Sequence, residues 1–175
     1  MKRQILFIQG GGSGAHKVDG ELVAHLRSTL GASYEVRYPT MPKERDPDYK
    51  RWKGQIRKEL AALEGDVILV GHSLGGSFLL KNLSEEKTEA TIAGLFLIAT
   101  PYWGGDGWRY EGFEAVALPE DFASRLPNGV PIFFLPQPRR RNRAFCASGS
   151  LCSETSAGNY SNLRWARTSA KQRFV

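Results

Sequence analysis

Gly71-His72-Ser73-Leu74-Gly75-Gly76 follows directly on Val67-Ile68-Leu69-Val70 and leads into Ser77-Phe78-Leu79-Leu80. The unbroken apolar run before the glycines has the pattern of a short strand buried on both faces. The residues after them predict a helix from about Gly75 to Leu83. The stretch therefore reads strand, sharp turn, helix, with G-x-S-x-G at the turn. Glycines two before and two after Ser73 allow a strained bend that lifts the hydroxyl off the sheet edge, and they bring no side chains to collide with neighbouring elements. In that frame the Leu74 N–H points at a reacting carbonyl oxygen, and the helix N-terminus adds a field that favours an oxyanion. Ser73 is the candidate nucleophile and Leu74 a candidate oxyanion donor. Neighbouring side chains diverge at such a bend, so His72 is expected to pack beside the strand rather than to act as a base.

Outward from the elbow, strands and helices alternate. Gln4–Ile8 predicts a strand ending in Gly10–Gly12. Val18, Leu22, Val23, Leu26 and Leu30 predict one apolar face of a helix that stops at Gly31. Tyr34–Tyr38 predicts a second strand. A helix beginning at Asp46-Pro47 carries Trp52, Ile56, Leu60 and Leu63 and closes at Gly65. Ile92–Ala99 is another buried strand, Pro119–Leu126 a short helix with Pro in its first turn, and Val130–Leu135 a fifth strand. This rhythm implies an α/β fold, a parallel sheet with helices on both faces.

The loop Gly10-Gly11-Gly12-Ser13-Gly14 can supply the second oxyanion donor, because glycine amides approach a ligand closely. Gly11 is the first candidate and Gly10 the next. The same residues match a dinucleotide-binding pattern, Gly10-x-Gly12-x-x-Ala15, but that pattern wants an acid at the end of the second strand. Glu35 lies inside that strand and Tyr38 at its end. The loop Pro101–Tyr110 follows a strand's C-terminal end, where ligands bind in open α/β sheets. Its Tyr102, Trp103 and Trp108 either wall an apolar pocket or simply cover the sheet, and Asp106 reads as a solvated turn residue.

The chain has 175 residues and a net charge of +6. Residues 1–135 contain 16 Lys+Arg and 17 Asp+Glu, while residues 136–175 contain 8 basic residues and the single acid Glu154. The basicity belongs to the tail, which argues against a nucleic-acid-binding domain. The Arg139–Arg143 cluster could hold polyanions only nonspecifically. Cys146 and Cys152 make neither a disulfide framework nor a zinc site. The longest purely apolar run near the start, Ile5–Ile8, is too short for a signal h-region or a membrane span. The expectation is a cytoplasmic protein with no metal, cofactor, membrane or specific nucleic-acid partner; nothing indicates a protein partner.

The stretches GGGSGAHKVDGELV, MPKERDPDYKRW, ILVGHSLGGSFLLK and GLFLIATPYWGGDGWRYEGF resemble small single-domain serine hydrolases of the retinoblastoma-binding-protein-9-like group, over about residues 4–134. The resemblance implies an α/β-hydrolase fold without a large cap. It also implies cleavage of small-molecule esters or amides by Ser, Asp and His in that chain order. Ser73 carries over as nucleophile, Leu74 and Gly11 as oxyanion donors.

The chain departs from that group after the fifth strand. Its histidines are His16, His25 and His72, none after Ser73, and no Asp follows Asp121. One extra nucleotide near the codon for Leu135 would account for this. With permitted codon choices, Leu135 through Leu151 reread as YHSRDDEIVPFAHLALY, and Arg164 through Ser169 as DGRGHQ. The group's acid then falls where Arg140 is written and its histidine where Thr168 is written. The expectation is a hydrolase-like domain over residues 1–134, lacking its last strand and helix, with an out-of-frame, poorly ordered tail over 135–175. The written chain would be inactive or nearly so. Two other readings stay open, a non-catalytic binding module or hydrolase remnant and, remotely, a dinucleotide-binding protein.

Overall fold

The computed structural model describes residues 2–101, 116–119 and 121–135. Within them, strands β1 (Arg3–Ile8), β2 (Tyr34–Arg37), β3 (Asp66–His72), β4 (Thr91–Ile98) and β5 (Ile132–Leu135) alternate with α1 (Ala15–Leu30), α2 (Tyr49–Ala61), α3 (Leu74–Glu85) and the single turn α4 (Phe122–Arg125). A 3₁₀ turn, Gly31–Ser33, joins α1 to β2. All pairings are parallel, in the order β2-β1-β3-β4-β5. The fold is α/β, a five-stranded parallel sheet flanked by helices.

The order reverses between β1 and β3: the chain steps from β1 to β2, then crosses back to lay β3 on the other side of β1. In open α/β sheets that switch point is where a crevice opens at the strands' C-terminal ends. The register Ile8↔Gly71 brings the ends of β1 and β3 level, so the glycine loop and the elbow emerge side by side.

Two apolar layers cover the sheet. Leu6, Ile8, Trp52, Ile56, Leu69, Phe78 and Leu79 belong to the larger, with α2 and α3. Ile5, Phe7, Val23, Val36 and Val70 form the smaller, under α1. Trp52 meets Phe78 edge-on at 5.2 Å and donates its indole N–H to the Pro42 carbonyl at 2.8 Å, which fixes the β2–α2 loop on the core.

Two sequence expectations need correction. Val18 and Leu22 do not face the core: they are 67% and 38% exposed, whereas Asp19 and Val23 are buried. The inward stripe of α1 includes Asp19, because its carboxylate has partners inside. The helix expected over Pro119–Leu126 shortens to Phe122–Arg125. Pro127 forces the preceding Leu126 into an extended conformation, φ −66° and ψ 153°, which ends the turn.

Candidate active site

Ser73 sits between β3 and α3 with φ 49° and ψ −123°, a backbone conformation that side-chain-bearing residues rarely adopt. A serine before a helix usually caps it with its hydroxyl. Here the side chain makes no cap bond. The backbone is held from both sides. Ser73 N–H donates to the Ile98 carbonyl at 2.8 Å, and its own carbonyl accepts from Gly76 N–H at 3.0 Å.

The flanking glycines let the elements close up. A Cβ on Gly75 would lie 2.6 Å from the Ile8 carbonyl oxygen and overlap that of Gln9. On Gly71 it would lie 2.7 Å from the Gly76 nitrogen. As the first residue of α3, Leu74 has an N–H that no carbonyl of its own helix can take.

Facing the elbow, the glycine loop is fastened by two carboxylates from other parts of the chain. Asp19 Oδ2 accepts from Gly10 N–H at 2.8 Å and contacts His72 Nδ1 at 2.9 Å. Glu44 Oε1 accepts from Gly14 N–H at 2.9 Å, and its Oε2 from His16 N–H and Gln9 Nε2, both at 2.8 Å. The Glu44 carbonyl takes the Gly12 N–H at 2.6 Å. The Gly10 N–H is thus committed to Asp19, so Gly10 is not an oxyanion donor as expected from sequence. The Gly11 N–H has no acceptor among the described residues. A Cβ there would meet Leu74 Cδ2 at 2.7 Å, which puts Gly11 against the first residue of α3.

The model of the family described as "Serine hydrolase" matches residues 17–121, more than half of the chain and across the elbow. The chain belongs to the serine hydrolase family. Among solved structures it is similar to a pyrethroid hydrolase from Sphingobium faniae, at 21% identity over 60% of this chain and 43% of that one, TM-score 0.40. It is also similar to the ydeN gene product of B. subtilis, at 14% identity over 78% of this chain and 86% of that one, TM-score 0.48. The chain spans less than half the length of the pyrethroid hydrolases it matches, 42–43%. No curated protein matches it.

In this serine hydrolase chain the histidines are engaged elsewhere. His16 stacks on Tyr38, ring centroids 4.4 Å apart, and its Nε2 lies 3.3 Å from Thr40 Oγ1. His25 is exposed on α1. A carboxylate only accepts, so the His72 proton toward Asp19 sits on Nδ1. No described residue hydrogen-bonds Ser73 Oγ. Tyr102, Trp103 and Trp108, expected as pocket walls, and the tail from Pro136 onward lie outside the described residues. Among the described residues no group of three or more His, Cys, Asp or Glu could hold a metal ion, and no helix is long and apolar enough to cross a membrane.

Glu44 occupies the α1 N-terminus, where a dinucleotide-binding protein would receive a phosphate. With a carboxylate already on the Gly14 and His16 amides, the glycine pattern has another purpose here. The His16 backbone N–H, the Gln9 amide and the Gly14 N–H outweigh desolvation and hold the Glu44 carboxyl below its ordinary value of 4.5. A carboxyl lowered on folding stabilises the fold above its unfolded pKa, and that contribution disappears as pH falls through the folded value. The parent is therefore expected to melt higher than Glu44→Gln near neutral pH. The gap should close as pH drops well below 4.5. Thermal melts of both proteins across pH 3–7 test this; a gap independent of pH would contradict it.

Asp19 and Glu44 escaped the sequence reading as site residues. Asp19 left a trace, since it precedes Val23 by one helical turn and so interrupts the apolar stripe. Glu44 left none, because its partners are backbone amides some thirty positions away.

Proposed function

We propose that this chain derives from a hydrolase of small esters or amides, of the retinoblastoma-binding-protein-9-like group, with Ser73 as nucleophile and Leu74 and Gly11 as oxyanion donors. The observation that carries the reading is the Ser73 backbone, strained and uncapped at the strand–helix bend. In the reaction Ser73 Oγ attacks the carbonyl carbon, and the carbonyl oxygen becomes an oxyanion between the Leu74 and Gly11 N–H groups. The hydroxyl proton must pass to a base as the new C–O bond forms.

That base is what the written chain lacks. No described group accepts from Ser73 Oγ, and no histidine follows it in the sequence. We propose that residues 135–175 are written out of frame and that the acid and histidine were lost with them. For the chain as written, the missing acceptor favours a second reading, a non-catalytic remnant that retains the elbow. A chain so poor in cysteine suits the cytoplasm.

A fluorophosphonate probe followed by intact mass tests the proposal. The written chain should label faintly at most, and Ser73→Ala should remove what labelling there is. Without a triad member, only ~10³–10⁴-fold catalysis over water persists. Fast labelling at Ser73 would reveal a base that this reading lacks and would overturn it.

A further inference from the structure

From Gly10 to His16, alternate backbone amides are taken up by two residues outside the glycine loop, Asp19 of α1 and Glu44 of the β2–α2 loop. Gly10 N–H goes to Asp19, Gly12 N–H to the Glu44 carbonyl, and Gly14 and His16 N–H to the Glu44 carboxylate. From Gly10 to Gly14, only Gly11 and Ser13 keep an N–H without an acceptor among the described residues. A Cβ on Gly11 would meet Leu74 Cδ2 at 2.7 Å, which sets Gly11 against the first residue of α3.

We propose that Asp19 and Glu44 are positioning residues, which together hold the glycine loop so that Gly11 presents the one amide available to an oxyanion beside Leu74. The inference deepens the hydrolase reading and rests on it for the purpose of the free amide, though not for the clamp itself. Neither carboxylate touches a reacting atom; both act through the loop backbone.

The two clamps have different anchors. Asp19 is buried, and its Oδ2 holds Gly10 and the His72 ring together. His72 immediately precedes Ser73, so this carboxylate ties the oxyanion side of the site to the nucleophile side. A Cβ on Gly10 would come 3.3 Å from His72 Nδ1 and 3.4 Å from Ser73 Cβ, which shows how closely the two sides approach. Glu44 reaches in from the β2–α2 loop. That loop is itself anchored by Met41, whose N–H donates to Gln9 Oε1 at 3.3 Å, and by Pro42 under Trp52. Gln9 Nε2 returns to Glu44 at 2.8 Å, so the side chain just before the glycines holds the β2–α2 loop at two points. A glycine-rich segment has the largest conformational freedom of any backbone, and a donor placed on one without such restraints would not stay aimed.

Amide hydrogen exchange by NMR on the full chain tests the clamp without requiring turnover. In the parent, Gly10, Gly12, Gly14 and His16 should exchange at least about ten-fold more slowly than Gly11, after correction for intrinsic rates. Glu44→Ala should release Gly14 and His16 by about ten-fold or more, the loss of one charge-assisted hydrogen bond each, while β1 amides such as Leu6 stay protected. Asp19→Ala should release Gly10, and Asp19→Asn, which keeps an acceptor oxygen, should restore it. If Asp19→Ala does not fold, Glu44→Ala alone decides, because Glu44 lies outside the core. Equal protection at Gly11 and Gly14, or unchanged Gly14 and His16 exchange in Glu44→Ala, would overturn the proposal. Failure of the frame-corrected chain to react at Ser73 would instead count against the hydrolase reading.

Discussion

Gly75→Ala is expected to lower the urea midpoint steeply and to cut the soluble yield. The new methyl would lie 2.6 Å from the Ile8 carbonyl oxygen and collide with that of Gln9. Both are backbone atoms at the end of a central strand, so neither can rotate aside. Either α3 moves off the sheet or β1 bends, and both responses open the packed interface of Ile8, Leu74 and Phe78. Overpacking of this kind costs about 1–3 kcal/mol and sometimes more, against a total stability of about 5–15 kcal/mol. The other glycines grade the expectation. Gly71→Ala meets the Gly76 nitrogen at 2.7 Å and should rank close behind. Gly76→Ala overlaps the Thr100 hydroxyl and meets its Cγ2 at 2.9 Å and its Cβ at 3.0 Å, and should rank beside Gly71→Ala. Gly54→Ala is the control: it is exposed within α2 with nothing within 4 Å of its Cβ, and it should gain about 0.5–1 kcal/mol from helix propensity. A flat series, with Gly75→Ala as stable as the parent, would mean that helix and strand do not meet this closely. It would remove the physical reason for the glycine spacing around Ser73.

That spacing explains why the fold and the elbow could be read from sequence. A parallel strand buried on both faces reads as an unbroken apolar run, and Val67–Val70 is such a run; it lies within the observed strand Asp66–His72. The bend after it needs glycine on steric grounds, so the requirement appears in the letters themselves. The same holds for α2, where Trp52, Ile56 and Leu60 recur at helical spacing and all three are buried. The clamp follows different rules. A carboxylate that accepts from backbone amides requires no particular partner residue, and its donors can lie anywhere in the chain. Periodicity also misled at α1, because apolar content alone placed Val18 and Leu22 inside. A buried aspartate with two hydrogen-bonding partners rotates the inward face, and only the three-dimensional arrangement supplies those partners.

If residues 135–175 are out of frame, as proposed, the largest effect on activity should come from restoring the reading frame. Deleting one nucleotide near the codon for Leu135 is expected to raise ester hydrolysis by about 10²–10⁴-fold, the usual contribution of a positioned general base. The whole of the gain should depend on Ser73. On the proposed reading, the nucleophile and its donors are arranged by residues before Leu135: Ser73 and Leu74 by the bend, Gly11 by the loop between Asp19 and Glu44. On the same reading what is missing is a proton acceptor, and a serine hydroxyl without one is a weak nucleophile however well aimed. The corrected frame should supply an acid where Arg140 now stands and a histidine where Thr168 stands. Replacing that histidine by alanine in the corrected chain should return turnover to the level of the written one. Replacing Ser73 should do the same in both frames. If the written chain already matches the corrected chain, the tail carries no error of consequence, and the base must be sought in the chain as written.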